Sequence, residues 1–192
     1  MTEKEKEKEI KDLLNKLTSQ MLKSTTNEGV YDKRISFLTW INKKAKLQSS
    51  AAPSVVKQKE IFFCELGVNI GSEQGGKRPV VIMQNDIGNS YGNTTIVVPI
   101  TTYENSTFYT KDGKQYMSYT NSDGNAIERS LDFYEIPISI EDGYRHEIHG
   151  IANVVHMREV SKKRLSNTPV AKITDETYNA IVQAIQKNIG VF

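Results

Sequence analysis

The sequence contains one cysteine, Cys64, among 192 residues, so no disulfide bond can form within the chain. A lone cysteine is typical of a protein that works in a reducing compartment. No hydrophobic run approaches the roughly 18–20 residues that a membrane-spanning helix requires. The first residues, MTEKEKEKEI, contain no apolar segment of the kind that forms the core of a secretory signal peptide. These absences predict a cytoplasmic protein with no membrane segment.

The sequence also lacks a large excess of charge. Its 25 Lys and Arg residues nearly balance its 23 Asp and Glu residues, which leaves a formal net charge of +2. Any basic surface for nucleic acid must therefore be local rather than global. The length is sufficient for one good domain and an appendage, but it is short for two full domains.

The N-terminal quarter has a helical pattern. Apolar residues recur at spacings of three and four along one predicted helical face: Ile10, Leu13, Leu14, Leu17 and Met21. The segment 27–29 interrupts this helix, and a second helix is predicted from Asp32 to Leu47. The Ser-, Ala- and Pro-containing segment 49–54 is typical of a linker. We therefore predict a helical extension and linker over residues 1–54, and a main domain over residues 55–192.

The pattern after residue 55 changes to short strands and turns. Strands are predicted at 60–66, 78–83, 94–100, 108–111, 114–117, 133–140 and 151–157. Asp112-Gly113 is a strong hairpin signal. A final helix is predicted between Thr174 as N-cap and Gly190 as its end. Because no long helix separates the strands, the pattern predicts an α+β domain built on a mostly antiparallel sheet or small barrel.

A glycine-rich loop between the first two strands is the most informative segment for chemistry. Residues 67–76 include four glycines, which let backbone N–H groups approach a phosphate closely. The loop is not a Walker loop, because no Gly-Lys-Ser/Thr follows, and it is not a dinucleotide-binding fingerprint, because a strand follows it. It places Glu73, Gln74 and Arg78 at one end of the sheet, where Thr101 ends the third strand. A guanidinium and a hydroxyl can together hold a phosphodiester, but a plain surface Arg–Glu pair fits the same residues.

The segment 71–86, GSEQGGKRPVVIMQND, resembles the signature GSEQGG-x-RPVVI-x-QND of MazF/PemK toxins. Further blocks match this family in the same order along the chain. They are TTIVVPIT at 94–101, MREVSKKRL at 157–165 and the terminal helix that ends near Gly190. An ordered series of blocks is far more specific than a single glycine-rich motif.

The resemblance implies an SH3-like barrel of the CcdB/MazF/PemK type with a C-terminal helix, assembled as a homodimer. It implies a sequence-specific endoribonuclease that cuts single-stranded RNA and mRNA without a metal or other cofactor, and that a cognate antitoxin inhibits by occupying the RNA groove. It implies three catalytic residues: the arginine corresponds to Arg78, its hydroxyl partner to Thr101 and the acidic loop residue to Glu73. Without a metal, attack by the ribose 2′-OH is the economical route, and it leaves 2′,3′-cyclic phosphate and 5′-OH ends.

Other polar residues of the same block are candidates for contacting RNA. These predicted RNA-binding residues are Gln74, Gly75, Gly76, Lys77, Gln84 and Asn85. For Asp86 and Asn89 we favour a role in a turn, since Asn and Asp are common in turns. Several aromatic side chains can either stack on bases or pack within the sheet: Tyr91, Phe108, Tyr109, Tyr116 and Tyr119.

Two features depart from the family pattern, and a third is a histidine pair that could suggest a metal site. Lys59-Glu60 stands where the family has a glycine and an acid. Residues 106–131 form a longer segment with an extra hairpin, which bears on the RNA-facing rim. His146 and His149 are three residues apart, whereas a zincin motif needs a spacing of four on a helix, so we predict no metal site there.

Two alternative functions remain open. The same barrel type supports CcdB-like gyrase inhibitors, which act by binding protein and not by catalysis. An antitoxin-like or RNA-binding regulator, in which the N-terminal helices carry the function, is the other alternative.

Overall fold

A computed structural model describes residues 1–24, 26–103, 105–144 and 148–191. The chain divides into two compact units, Met1–Ala45 and Lys46–Phe192. The domain boundary after residue 54 therefore stays a prediction. His146 and Glu147 of the histidine motif lie outside the described residues. No helix of the described part of the chain is long and apolar enough to cross a bilayer.

The N-terminal unit is built on helices α1 (Glu3–Met21) and α2 (Glu28–Ser49). Thr2 and Glu5 form a capping box that satisfies backbone donors at the start of α1. The guanidinium of Arg34 donates to the carbonyl oxygens of Met21 and Lys23, at 3.1 and 2.6 Å, and so caps the end of α1. The prediction that the second helix begins at Asp32 was wrong, because α2 begins one turn earlier.

The second unit contains most of the regular structure. Its strands are β1 (Glu60–Gly67), β2 (Gly76–Ile82), β3 (Thr94–Thr102), β4 (Thr107–Lys111), β5 (Lys114–Thr120), β6 (Ala126–Ser130), β7 (Glu135–Pro137), β8 (Gly150–Asn153), β9 (Arg158–Ser161) and β10 (Ala171–Lys172). Its remaining helices are α3 (Asp86–Tyr91) and α4 (Asp175–Ile189), with 3₁₀ turns at Val154–His156 and Lys162–Arg164.

The main sheet is antiparallel and curled. Its order is β10-β1-β2-β3-β8-β7, and β9 pairs with the first half of β3. The chain then crosses to the opposite edge, where Leu165 bridges Cys64 and the Ser166 amide donates to the Phe63 carbonyl at 2.8 Å. This return to β1 gives the SH3-like half-barrel that was predicted. A separate meander, β4-β5-β6, lies outside the main sheet.

Two hydrophobic cores lie on opposite faces of the curled sheet, because successive side chains of a strand point to opposite faces. The barrel core contains Val56, Phe62, Cys64, Leu66, Val80, Ile82, Val97, Val160 and Leu165. The helix-side core contains Ile61, Val81, Val98, Ile100, Ile138, Ile148, Ala152, Val154, Ala171, Ile173, Ile181 and Ala184, of which the last two belong to α4. Burial on both faces explains why β1 and β2 are almost continuously apolar in sequence.

The C-terminal helix has the ends that its sequence predicts. The Thr174 hydroxyl accepts from the Thr177 amide, and Gly190 ends α4 in the left-handed region. Both features satisfy backbone groups that the helix leaves without partners at its ends.

Lys59 adopts a left-handed backbone conformation with φ of 72°. This region favours glycine, and Lys59 is the position where the resembling family has one. Three contacts hold the residue there: its amide donates to the Ile82 carbonyl at 2.9 Å, its ammonium pairs with Asp175, and the same ammonium lies 5.1 Å from the Tyr178 ring centroid. Although Lys59 replaces a glycine, β1 still begins at Glu60. The left-handed backbone at Lys59 is locally strained.

Two predicted strands were too long. The segment predicted as a strand at 133–140 is a continuous strand only over Glu135–Pro137, with an isolated bridge from Ile140 to Ile173, and the one at 151–157 ends at Asn153. The Asn153 side chain accepts from the Val155 amide and so starts a 3₁₀ turn, which takes residues 154–156 out of the strand. Strand β6, at Ala126–Ser130, was not predicted.

The Cys64 thiol provides a test of the barrel core. It is fully buried, and this burial raises its pKa from the ordinary 9.0 to about 12. We expect iodoacetamide to modify Cys64 at least about 100-fold more slowly in the folded protein than in urea, since the thiolate is the reactive form. As the pH rises, the Cys64 thiol ionises first in the unfolded chain. Its contribution to the free energy of unfolding is therefore present below pH 9.0 and is lost as the pH approaches about 12. Equal rates with and without urea would contradict this packing.

Candidate active site

The pairing register of two neighbouring strands brings Arg78 and Thr101 together. Val80 on β2 pairs with Pro99 on β3, and continuing this antiparallel register by two residues sets Arg78 opposite Thr101. Side chains directly opposite on such strands have Cβ atoms about 4.5–5.5 Å apart. In the structure Arg78 Nη1 lies 3.5 Å from Thr101 Oγ1. The two residues singled out in the sequence therefore share one end of the sheet.

The glycine-rich loop holds both side chains in place. Arg78 Nε donates to the Gly75 carbonyl at 2.8 Å, and Gln74 Nε2 donates to Thr101 Oγ1 at 3.1 Å. A threonine hydroxyl that accepts one hydrogen bond keeps its own proton to donate. Arg78 likewise has further N–H donors on its two terminal nitrogens. The arrangement therefore presents a fixed cation beside a hydroxyl donor.

Two glycines near this site allow backbone segments to approach each other closely. A Cβ at Gly75 would lie 2.5 Å from the Gly67 carbonyl oxygen, so the two ends of the loop meet only without a side chain there. A Cβ at Gly150 on β8 would lie 2.3 Å from the Thr101 carbonyl oxygen. Glycine at these positions lets the loop and β8 pack directly on the backbone that carries the site.

An open pocket of about 560 Å³ adjoins the pair. Its lining residues are Phe63, Lys77, Arg78, Pro79, Ile100, Thr101, Thr102, Tyr103, Ile148 and His149. The Lys77 ammonium lies 5.4 Å from the Phe63 ring centroid, which adds a second cation at the rim. The volume is within the roughly 300–1,000 Å³ usual for small-ligand sites. A cationic pocket of this size suits an anionic group such as a phosphodiester.

Glu73 lines a second pocket and is not among the lining residues of the first. This second pocket, of about 300 Å³, is lined by Glu73, Gln74, Val155, His156, Met157 and Arg158. Gln74 connects the two pockets, since it lines the second and donates to Thr101 at the first. Gln74 Oε1 is buried and has no hydrogen-bond partner among the described residues. The structure thus brings Gln74, Arg78 and Thr101 together and sets Glu73 to one side.

Gln84 and Asn85 lie at the opposite end of β2 from Arg78. Six residues separate Arg78 from Gln84, which is about 20 Å along a strand. Asn85 caps α3, because its side chain accepts from the Gly88 amide at 2.8 Å. The Asn89 side chain donates to the Gln84 carbonyl at 2.8 Å. The structure therefore does not bring Gln84 and Asn85 together with the pair.

The turn expected around Asp86 and Asn89 is a short helix. Its last carbonyl groups accept from the buried ammonium of Lys162, at 2.6 Å for Gly92 and in a short contact for Asn89. A cation at a helix C-terminus is favourable. No local sequence pattern predicts this role for Lys162, because it lies 70 residues after Gly92 in the chain.

Among the residues of the main pocket that sequence reasoning missed are three with ring side chains: Phe63, Tyr103 and His149. Tyr103 had a local signal, since it follows Thr101 by two residues and thus belongs to the same strand end. Phe63 and His149 reach the pocket from β1 and from the segment before β8, and only the pairing of these segments with their neighbours places them there. Within the described residues no cluster of three His, Cys, Asp or Glu side chains is arranged to hold a metal ion.

Residues 57–189 match the family model described as PemK-like, MazF-like toxin of type II toxin–antitoxin system. The chain belongs to this family. The matched region includes the whole barrel, the glycine-rich loop and the Arg78–Thr101 pair. The resemblance inferred from the sequence is thereby confirmed.

Two individual relatives of the PemK-like, MazF-like chain are informative. It is 51% identical over 47 residues to Endoribonuclease EndoA of Bacillus subtilis (strain 168), a match that covers 24% of this chain and 40% of that protein. It resembles the crystal structure of MazF (Form-I) from Deinococcus radiodurans, with a TM-score of 0.50 and 14% identity, over 71% of this chain and 97% of that chain. At this identity the second likeness concerns the fold alone.

Proposed function

We propose that this chain is the toxin of a type II toxin–antitoxin pair and acts as a sequence-specific, metal-independent endoribonuclease on single-stranded RNA. The observation that carries the proposal is the guanidinium of Arg78 beside the hydroxyl of Thr101 at an open pocket. Family membership and the name of the Bacillus subtilis relative support the same activity.

The chemistry follows from the two side chains. The 2′-oxygen of the nucleotide before the cut attacks the adjacent phosphorus, so that a P–O2′ bond forms and the P–O5′ bond breaks. The 2′-hydroxyl loses its proton, and the departing 5′-oxygen gains one. The products are a 2′,3′-cyclic phosphate and a 5′-OH end. Negative charge builds on the nonbridging oxygens of the phosphorane, and pre-organised donors lower the energy of that state.

Each residue has a distinct part in this step. Arg78 stabilises the charge on the phosphorane oxygens, and Thr101 donates its hydroxyl to one of them. Gln74 and Gly75 position Thr101 and Arg78 through the hydrogen bonds described above. Gly76 and Lys77, at the start of β2, bind the adjoining part of the RNA, and Lys77 lines the same pocket. We assign Glu73 to orienting the RNA strand, because it lines the adjoining pocket and not the one beside Thr101.

The partners follow from the same proposal. The toxin is a cytoplasmic homodimer whose substrate is mRNA. Its activity is held in check by an antitoxin protein that covers the RNA-binding surface. Residues 1–54 are an extension to this toxin domain.

Cleavage in the presence of EDTA is the direct test. We expect the purified protein to cut a long RNA at one short motif in excess EDTA, because charge stabilisation by Arg78 replaces that by a metal. Mapping both ends of the fragments should find a 5′-OH on one side and a cyclic phosphate on the other. Polynucleotide kinase labelling of the 5′ ends without prior phosphatase treatment is a simple readout.

Two results would count against the proposal. Cleavage that stops in EDTA and returns with a divalent cation would overturn the metal-independent mechanism. A protein that cuts no RNA but inhibits supercoiling by gyrase would instead support the CcdB-like alternative.

A further inference from the structure

Tyr103 lies where the chain leaves the candidate active site. It follows Thr101 by two residues, is half-buried and lines the same pocket as Arg78. Its backbone amide donates to the His149 carbonyl at 3.0 Å, and its own carbonyl accepts from the Ser106 hydroxyl at 3.0 Å. The backbone that carries this ring is therefore held on both sides.

The meander β4-β5-β6 supports the ring of Tyr103. Tyr119 on β5 lies against it, with ring centroids 5.1 Å apart and an interplanar angle of 56°. Such tilted contacts between aromatic rings are favourable. One strand further on, Arg129 of β6 donates to Glu135 through both terminal nitrogens, at 2.7 and 2.8 Å. The meander thus contacts Tyr103 at the pocket through Tyr119, and the Arg129–Glu135 ion pair joins it to β7 of the main sheet.

The Tyr103 hydroxyl also interacts with the Arg129 guanidinium of this ion pair. Hydrogen bonding to Glu135 and, to a smaller degree, to Tyr103 raises the pKa of Arg129. Burial alone would raise the pKa of Glu135, but its hydrogen bonds with Arg129 and the Asp132 amide outweigh this and lower it. Both partners are therefore charged at neutral pH. The Arg129–Glu135 ion pair and the Tyr119 ring are thus the meander contacts closest to the Tyr103 ring.

We infer that Tyr103 is a base-stacking residue for the nucleotide next to the scissile phosphate, and that the meander of residues 107–130 positions it. This inference rests on the proposed ribonuclease function. The phosphate clamp of Arg78 and Thr101 and the ring of Tyr103 line one pocket, so a nucleotide whose phosphate is bound there has its base within reach of the ring. Aromatic side chains stack on every base, and this affinity depends little on sequence.

Binding to a non-cleavable RNA tests this role. The probe is a fluorescein-labelled oligoribonucleotide that carries the mapped motif with a 2′-deoxy sugar before the cut, so that attack cannot occur. We expect Tyr103→Ala to raise the Kd by roughly 5- to 100-fold. Tyr103→Phe keeps the ring and loses only the hydroxyl contact with Arg129, so its Kd should stay within about 3-fold of wild type. Phe133→Ala is the matched control: it removes an exposed ring that lines a different pocket, so its Kd should stay within about 3-fold of wild type.

An abasic nucleotide separates stacking from a merely structural effect. In wild-type protein, removing the base next to the scissile phosphate should weaken binding by the same factor as Tyr103→Ala. In Tyr103→Ala the same abasic change should have little further effect, because the ring it contacts is gone. The mapped cut motif should be unchanged in Tyr103→Ala, while its KM rises more than its kcat falls.

Two outcomes distinguish the possible failures. If abasic substitutions weaken wild-type and Tyr103→Ala binding equally at every position, the stacking role is wrong although the ribonuclease function stands. If wild-type protein cuts no RNA, the proposed function itself fails and this inference fails with it. If Tyr103→Ala does not fold, Tyr103→Leu, which fills the same space without an aromatic ring, takes its place in the abasic comparison.

Discussion

Arg78→Ala is expected to lower kcat for RNA cleavage by about 100- to 1,000-fold, which is the usual loss when one pre-organised charge-stabilising donor is removed. The physical reason is that Arg78 is held by the Gly75 carbonyl at 2.8 Å and meets Thr101 at 3.5 Å, so its charge is fixed beside the hydroxyl that binds the same phosphate. Single-turnover rates on the mapped motif give this value directly.

Two variants control for the loss of charge alone. Lys111→Ala removes one positive charge from an exposed position at the β4–β5 turn, away from the pocket, and should leave kcat unchanged. Arg78→Lys keeps the charge but loses the planar fork that can hold two phosphate oxygens, so its rate should lie between those of wild type and Arg78→Ala. Normal cleavage by Arg78→Ala would end the proposed mechanism.

Thr101→Val extends the same prediction to the second member of the pair. Residues that act as one unit have effects that do not add. The double variant Arg78→Ala, Thr101→Val should therefore be only slightly slower than Arg78→Ala alone. Fully multiplicative losses would mean that the two side chains act on different steps or different atoms.

Phe62→Ala is expected to lower the free energy of unfolding by about 3–5 kcal/mol. Phe62 is fully buried in the barrel core, where its neighbours on the same face include Val80 and Val97. Removing the ring loses its transfer free energy and leaves a cavity that a curled, hydrogen-bonded sheet cannot fill by collapsing. Since small domains are stable by only about 5–15 kcal/mol, the variant should unfold at markedly lower urea concentration.

The choice of probe and control matters for this measurement. The single tryptophan, Trp40, lies in α2 and is not part of the barrel core, so a signal from residues of the barrel domain is preferable. Near-UV circular dichroism of the tyrosines, eight of whose nine side chains lie after residue 55, is the suitable signal. Phe133→Ala makes the same chemical change at a ring that is 45% exposed, and it should cost less than half as much. A larger loss at Phe133 than at Phe62 would contradict the assignment of the core.

The candidate site could be predicted in part because its residues lie in one local motif. Gln74, Gly75 and Arg78 are neighbours in sequence, and Thr101 ends a strand rich in β-branched residues, so their shared chemistry is visible in the chain alone. Tyr103 was not predicted as a site residue, although it is only two positions beyond Thr101. Its importance depends on Tyr119 and Arg129, which reach it through the pairing of a meander that no local pattern relates to the pocket.

The amino-acid sequence alone determined the elements whose signals are local. The short apolar runs of β1 to β3, the Asp112-Gly113 hairpin and the capped helix between Thr174 and Gly190 all follow from residue preferences within a few positions. Tertiary structure alone decided what depends on contacts between distant segments. It set Arg78 opposite Thr101 through strand register, moved Glu73 to the adjoining pocket, and turned the segment after Asn85 into a helix that Lys162 holds from 70 residues away. The physical reason is that hydrogen-bonded pairing and burial depend on which segments meet, and that choice is made by the whole chain.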